Sequence, residues 1–326
     1  MQIVSRGHTR PLTEINFFQD TSDRSLLISS AHDKSPQIRN GETGDWIGTF
    51  HGHKGAVWSA KLDYSTRSLA ATASGDFSSK LWCATTGREL CEFKHKHVVK
   101  SVDFSVDSQD IVTGCQDGLM RVFQIASPNT APTQYTISTK SSESPTKVSF
   151  IPDTPNLVVV GTKTSLIQLW DRRLSSTSAC VISNPLLSSK NMPVMDIELN
   201  LHSRTVLVTI ERKVLLLSMN DLSVLNEFQM PDPLKFHEEG GSSMHPDGTK
   251  FITGGSDLWI REFDVSSGNV LRTFKGHHGP VRCVRYHPSG DVVASGSEDG
   301  TIRLWDLKQS ISEDHGGTGI NDQHEK

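Results

Sequence analysis

The feature that most constrains the fold of this chain is a pattern that recurs seven times along its 326 residues. Each copy ends in a short apolar stretch such as SKLWC, IQLWD or IRLWD, and the tryptophan position recurs every 41 to 47 residues. The seven equivalent positions are Arg39, Trp82, Phe123, Trp170, Leu217, Phe263 and Trp305. A nearly fixed period of this length indicates a chain assembled from copies of one supersecondary unit.

Each copy is predicted to contain four short β-strands, because it holds four runs in which apolar and polar residues alternate. The second copy shows this most clearly, with the runs AVWSAKL, SLAATAS, SSKLWC and RELCEFK. Four strands in each unit predict antiparallel sheets arranged as blades. We therefore expect an all-β, seven-bladed β-propeller over residues 1–308.

The two ends of the repeat region are out of step with the blades. The last repeat stops at its third strand near Leu307, whereas residues 2–6 precede the first repeat and have no blade of their own. We expect residues 2–6 to form the outer strand of the last blade, which would close the ring and cover an open sheet edge. Residues 309–326 contain few apolar side chains and have a net charge of minus three, which predicts a disordered acidic tail.

Composition and short motifs argue against several classes of function. With 33 basic and 37 acidic side chains the net charge is minus four, so no general attraction to nucleic acid is expected. The five cysteines are an odd set without C-x-x-C spacing, which argues against a disulfide framework or a zinc site and favours the cytoplasm or nucleus. The sequence contains no apolar run of membrane-spanning length, and its first residues lack the apolar stretch of a signal peptide.

Enzyme and cofactor motifs are also missing from the sequence. It contains no phosphate-binding glycine loop, no G-x-S-x-G elbow and no paired-carboxylate motif. The histidine pairs in HGH, KHKH and GHH have no cysteine or carboxylate at ligand spacing, which argues against a metal site. We therefore expect a protein that is not an enzyme and that uses no cofactor.

Histidine, aspartate and hydroxyl residues recur at fixed positions within the repeats. The aspartate lies six residues before the tryptophan position, the hydroxyl lies ten before it, and the histidine lies four residues before the first strand's apolar anchor. The best-matched sets are His53, Thr72, Asp76 and Trp82; His95, Thr113 and Asp117; and His277, Ser295, Asp299 and Trp305. An active site normally occurs once, so the repetition favours a structural network over a catalytic triad. Arg39 and Phe123 replace tryptophan in repeats one and three, which predicts incomplete networks there.

The residue after each first-strand anchor is expected to line the mouth of the central channel. By spacing, these residues are Thr13, Trp58, Lys100, Thr146, Met195, Gly240 and Arg282. Aromatic and arginine side chains dominate binding energy at interfaces, so we predict a partner-binding surface at Trp58, Lys100, Arg282 and Thr13. The alternative, that Trp58 plugs the channel, is equally compatible with the sequence.

Two other classes of function are alternatives to partner binding at this mouth. A propeller hydrolase would need a unique cluster of ionisable groups in the channel, and the predicted mouth residues include no carboxylate or histidine. Lys94, Lys96 and His97 add positive charge near Lys100, but no stacking aromatic residues alternate with them. Contact with RNA is therefore expected to be only indirect.

The repeats resemble WD repeats, and four stretches resemble one family within that class. These are GHTRPLTEINF, GETGDWIGTFHGHKGAVW, HKHVVKSVDFS and GPVRCVRYHPSGDVVASGSEDGTIRLW, which are similar to the family of serine-threonine kinase receptor-associated, or Unr-interacting, proteins. The resemblance implies a scaffold of the SMN complex in spliceosomal ribonucleoprotein assembly and a modulator of TGF-β receptor signalling. The implied partners are Gemin-type subunits and possible kinase receptors, bound by a monomeric propeller in the cytoplasm and nucleus.

Two further expectations rest on resemblance. In WD repeats the histidine is expected to bridge the turn aspartate to the hydroxyl, with the tryptophan indole N–H behind it. The chain also resembles the i-subunit of eukaryotic translation initiation factor three, which has a similar Gly-His-x-Gly-Ala-Val-Trp segment. That second scaffold family stays open as an alternative.

Overall fold

The computed structural model describes residues 2–19, 25–66, 68–138, 143–174, 179–186, 192–236 and 240–308. These residues form seven four-stranded antiparallel sheets, and no α-helix occurs among them. The predicted tail at 309–326 lies outside the described residues.

In each sheet the strands follow one another from the centre of the molecule to its rim. The inner strands are β2 (Leu12–Gln19), β6 (Val57–Leu62), β10 (Val99–Phe104), β14 (Pro145–Ile151), β18 (Val194–Asn200), β22 (Ser242–Met244) and β26 (Val281–Tyr286). The second strands are β3 (Ser25–Ala31), β7 (Leu69–Ser74), β11 (Asp110–Cys115), β15 (Thr154–Thr162), β19 (Thr205–Ile210), β23 (Lys250–Gly254) and β27 (Val292–Ser297). The third strands are β4 (Gln37–Asn40), β8 (Ser78–Cys83), β12 (Leu119–Gln124), β16 (Leu166–Asp171), β20 (Lys213–Ser218), β24 (Trp259–Asp264) and β28 (Ile302–Asp306). The outer strands are β5 (Trp46–Thr49), β9 (Glu89–Lys94), β13 (Thr133–Thr136), β17 (Cys180–Pro185), β21 (Val224–Gln229), β25 (Val270–Lys275) and, in the seventh sheet, β1 (Gln2–Ser5).

The seven inner strands contact one another in chain order, and β26 packs against β2. The sheets therefore form a closed ring, which confirms the predicted seven-bladed propeller. Blade seven combines both ends of the repeat region, because β1 pairs antiparallel with β28 from Gln2↔Trp305 to Ser5↔Ile302. The predicted closing strand is confirmed, and it ends at Ser5.

The hydrophobic core lies between neighbouring blades. One cluster joins Ile28 of blade one to Leu62 and Trp82 of blade two. Another joins Val122 of blade three to Trp170 of blade four. Because each sheet buries apolar side chains against the next sheet, every blade depends on its neighbours for its core.

Six of the seven inner strands contain a β-bulge beside their first residue. The register with the second strand skips one residue at this point, and the skipped residues are Thr13, Trp58, Lys100, Thr146, Met195 and Arg282. A bulge leaves a residue outside the ladder and re-aims its side chain. Six of the seven predicted mouth positions are thus bulge positions, whereas Gly240 of blade six precedes β22.

Candidate protein-binding site

The recurring histidine of blade two lies in a closed network of hydrogen bonds. His53 Nδ1 is 2.8 Å from Asp76 Oδ2, and His53 Nε2 is 2.6 Å from Thr72 Oγ1. Trp82 Nε1 donates to the same Thr72 hydroxyl at 2.9 Å. A carboxylate can only accept, so in the neutral imidazole Nδ1 carries the proton and Nε2 accepts from the Thr72 hydroxyl, which itself accepts from the indole N–H. His53 Nδ1 then donates to the Asp76 carboxylate.

Blade seven repeats this arrangement with a serine hydroxyl. His277 contacts Asp299 at 3.1 Å and Ser295 at 2.7 Å, and Trp305 Nε1 donates to Ser295 Oγ at 2.8 Å. Burial lowers the pKa of His277 to about 4, although the neighbouring Asp299 carboxylate opposes the shift. The histidine is therefore neutral at pH 7. Its two nitrogen atoms are occupied by bonds that hold the blade together.

Blade three requires a correction to the predicted network. His95 Nε2 bonds to Thr113 Oγ1 at 2.9 Å, but His95 Nδ1 donates to the Phe93 carbonyl oxygen at 2.9 Å. The prediction that Asp117 pairs with this histidine is wrong. Asp117 instead accepts two hydrogen bonds from Arg121, the shorter at 2.6 Å, because a charged guanidinium is a stronger donor than a neutral imidazole.

A cavity of about 640 Å³ opens at the mouth of the channel, and its lining comes from blades two to six. We call it the mouth cavity. Its apolar lining includes Trp58, Met192, Val194, Met195 and Phe236. Its charged lining consists of Lys100, Lys147, Lys163 and Lys235, and no carboxylate lines it in the described part of the chain.

Trp58 and Lys100 lie together on one wall of the mouth cavity. Lys100 Nζ is 3.0 Å from the centroid of the Trp58 ring, a close cation–π contact. The His32 ring meets Trp58 edge-on, with the two ring centroids 4.9 Å apart. The two bulge residues that the sequence singled out in blades two and three therefore form one surface.

Thr13 and Arg282 do not join this surface. Thr13 is only 2% exposed, and its hydroxyl donates to the Val57 carbonyl oxygen at 2.7 Å. Arg282 is 7% exposed and donates to Glu298 Oε1 at 2.7 Å. The prediction of a single binding surface with all four residues is corrected in this respect, because the polar groups of Thr13 and Arg282 are used in bonds within the propeller.

The channel also contains a charged cluster that the sequence analysis missed. Its members are Glu14, Lys61, Asp103, Lys147, Asp196, Glu198 and Arg285, which lie two or four residues after the inner-strand anchors. Arg285 donates to both oxygen atoms of Asp196, at 2.7 and 3.0 Å. The period-two spacing along the inner strands was the signal that could have revealed this cluster.

Bonds from this cluster connect neighbouring blades. Asp103 accepts from the Phe150 backbone N–H at 3.0 Å, and Glu198 accepts from the Met244 N–H at 2.7 Å. Glu14 accepts from the Ala60 N–H at 3.1 Å. Burial alone would raise the pKa of Glu14, but the positive charges of Lys147 and Lys61 outweigh it and lower the pKa to about 2. The channel thus contains buried ionisable groups, but Glu14, Asp103 and Glu198 bind the backbone of the adjacent blade.

Three further features bear on function. All five cysteines are free thiols. Across the described ranges, no three His, Cys, Asp or Glu side chains are grouped so that they could hold a metal ion. The same ranges contain no helix with the length and apolarity required to cross a membrane.

Comparison with known proteins extends these observations. The WD domain, G-beta repeat family matches residues 44–83, 87–124 and 268–306. Over 93% of its length the chain is 37% identical to the serine-threonine kinase receptor-associated protein of Dictyostelium discoideum, of which 98% is covered. The Homo sapiens protein of that name is 36% identical over 93% of the chain, with 81% of that protein covered. Eukaryotic translation initiation factor 3 subunit I of Caenorhabditis elegans is 26% identical over 96% of the chain and 97% of that protein.

Proposed function

Because the chain belongs to the serine-threonine kinase receptor-associated protein family of WD-repeat proteins, we propose that it is a non-enzymatic scaffold that holds protein partners on its propeller. The observation that carries this proposal is identity of 36–37% to family members over 93% of the chain. The closed ring and the mouth cavity provide surfaces suited to that role.

The assembly that we assign to the scaffold is the SMN complex, in the assembly of spliceosomal small nuclear ribonucleoproteins. Its partners would be Gemin-type subunits, and RNA would be contacted only through them. The net charge of minus four supports indirect contact with RNA, since a direct binder gains affinity from positive charge. In this proposal the protein works as a monomeric propeller in the cytoplasm and nucleus.

A second role in the same proposal is modulation of TGF-β receptor signalling. It is supported by the name of the relatives, which describes association with a serine-threonine kinase receptor. Both roles need a protein-binding surface and no catalytic group.

An i-subunit-like scaffold of translation initiation factor three is the alternative. It is favoured by similarity over 96% of the chain, but the identity is only 26%. This assignment ranks second because 26% identity is lower than the 36–37% identity to the serine-threonine kinase receptor-associated proteins.

Affinity purification of the tagged full chain, followed by mass spectrometry, tests the assignment. We expect SMN-complex subunits to be enriched relative to a tagged, unrelated propeller. Recovery of initiation-factor subunits in their place would establish the alternative and refute the assignment to the SMN complex.

A further inference from the structure

The mouth cavity has an apolar floor formed by blade five and the segment that follows it. Val194 and Met195 come from blade five, and Phe236 comes from the segment between blades five and six. All three side chains are buried in the propeller and line the cavity. At about 640 Å³ the cavity has the size of protein pockets that enclose an organic ligand or inserted side chains.

The rim of the mouth cavity is positively charged. Lys163 of blade four and Lys235 of the segment before blade six are both exposed. Neither lysine forms an ion pair with another described residue. Lys147 lies deeper and forms ion pairs with two carboxylates. Its Nζ atom is 3.5 Å from Glu14 Oε1 and 3.7 Å from Asp196 Oδ1. Among the described residues, the two rim lysines are therefore the cations available to an incoming anion.

The aromatic groups of the mouth cavity are poorly placed to stack on a nucleobase. One face of the Trp58 ring is covered by Lys100 Nζ at 3.0 Å, and His32 packs against Trp58 edge-on. Phe236 is only 7% exposed. Single-stranded nucleic acid is usually held by open aromatic faces beside a positive groove, whereas this floor offers mainly aliphatic and thioether groups. The combination fits a peptide better than a nucleic acid.

We propose that the mouth cavity docks an acidic segment of a partner protein. An aliphatic side chain of that segment packs on Val194, Met195 and Phe236, and flanking carboxylates meet Lys163 and Lys235. This inference rests on the proposed scaffold function and specifies the chemistry of the partner. Charge complementarity at the rim and apolar burial on the floor act together in selecting the segment.

A fluorescein-labelled twelve-residue peptide of alternating Glu and Leu is the probe, with fluorescence anisotropy as the measurement. Three matched probes replace every Glu by Gln, every Leu by Ser, or every Glu by Lys. We expect saturable binding of the Glu/Leu peptide and at least about tenfold weaker binding of each matched probe, which corresponds to about 1.4 kcal/mol. The Leu-to-Ser probe tests the floor without altering the protein.

The charge reversal Lys163→Glu with Lys235→Glu tests the rim. We expect it to weaken binding of the Glu/Leu peptide at least about tenfold, with the melting temperature unchanged because both lysines are exposed. The matched control is Lys94→Glu with Lys96→Glu, which makes the same charge change at exposed lysines outside the mouth cavity and should retain wild-type binding. The proposal is overturned if the Lys163/Lys235 variant binds the Glu/Leu peptide as tightly as the wild type does. It is also overturned if the wild type shows no saturable binding of this peptide.

A uridine oligonucleotide that binds more tightly than the Glu/Leu peptide, and loses affinity in the Lys163/Lys235 variant, also overturns it by assigning the cavity to nucleic acid. Affinity purification separates this inference from the scaffold function on which it rests. If the variant recovers the same partners as the wild type, the scaffold function stands and the docking site is wrong. If the wild type recovers no partner, the scaffold function itself fails.

Discussion

At the scale of single residues, the recurring histidines fasten one end of blades one, two, three and seven. His277 precedes β26, and it bonds to Asp299 in the turn before β28 and to Ser295 on β27. The bond from the Ser295 hydroxyl requires an acceptor on the imidazole, and a protonated histidine has none. Protonation would therefore leave the Ser295 hydroxyl proton without this acceptor, and burial keeps the pKa of His277 near 4.

We expect the free energy of unfolding to fall as the pH is lowered from 6.5 toward 4. The unfolded histidine has a pKa of about 6.5, so in this window the unfolded chain binds a proton that folded His277 does not. The contribution of this site is at most about 1.4 kcal/mol per pH unit, and it vanishes above the unfolded pKa. In His277→Gln, an amide could keep both bonds without titrating, so the dependence between pH 7 and pH 5 should be shallower.

Urea denaturation of both proteins at pH 7 and pH 5 measures this difference. His278→Gln is the matched control, because His278 is exposed and its side chain lies outside the network; it should retain the wild-type pH dependence. An unchanged pH dependence in His277→Gln would show that His277 does not couple protonation to folding.

At the scale of elements, the four-residue strand β1 completes blade seven and closes the ring. It covers the edge of β28 from Ile302 to Trp305. It is also tied to blade one, because Ser5 Oγ donates to the Gly44 carbonyl oxygen at 2.8 Å. Arg39, in the tryptophan position of blade one, donates to the Arg6 carbonyl oxygen at 2.8 Å. The substitution that leaves blade one without an indole thus helps to hold the closing strand.

Deletion of residues 1–6 should open the ring and leave the edge of β28 exposed to other chains. We expect a decrease in melting temperature of more than about 5 °C. Each kcal/mol lost from the free energy of unfolding lowers the melting temperature by roughly 2–4 °C in a domain of moderate size. Self-association should also increase. Thermal denaturation and size-exclusion chromatography measure the two effects.

A chain that ends at Lys308 is the matched truncation at the opposite terminus. If residues 1–308 are the complete propeller domain, it should melt at the wild-type temperature. Equal melting temperatures for the wild type and the 1–6 deletion would contradict the role assigned to β1.

At the scale of the whole molecule, the charged channel cluster joins blades that are distant along the chain. Arg285 of blade seven donates to Asp196 of blade five and, at 3.3 Å, to the Ser242 carbonyl oxygen of blade six. One guanidinium therefore connects three blades. Breaking a buried ion pair at one partner leaves the other charge desolvated without compensation.

Arg285→Met should lower the free energy of unfolding by about 3 kcal/mol, because buried Asp196 loses both guanidinium hydrogen bonds and keeps only Lys147 Nζ, at 3.7 Å, as a nearby cation. Arg173→Met is the matched control. Arg173 pairs with Asp171 at 2.6 Å, but its side chain is 66% exposed, so the loss should be below about 1 kcal/mol. Urea denaturation measures both, and similar losses in the two variants would mean that the channel pair does not stabilise the ring.

In the candidate site, the spacing of the repeats predicts backbone positions but not which side chains are accessible. The spacing identified six equivalent bulge positions, because these repeats place the same bulge after the same anchor, and four of the six line the mouth cavity. Spacing did not reveal which of these residues remain accessible. Thr13 is covered because the neighbouring blade offers the Val57 carbonyl oxygen, and Arg282 is covered because Glu298 lies opposite it. Likewise, the position of Asp117 in the repeat predicts a bond to His95, whereas the Asp117 carboxylate accepts hydrogen bonds from Arg121.

The sequence by itself determined the number of blades, their four-strand composition and the closure of the ring. These properties follow from local period and alternation, which each repeat carries in its own residues. Only the tertiary structure decided which charges meet and where a cavity opens. Arg285 and Asp196 are 89 residues apart, and the lining of the mouth cavity is drawn from several blades. Such contacts depend on the relative placement of blades after the ring has closed, and no single repeat contains that information.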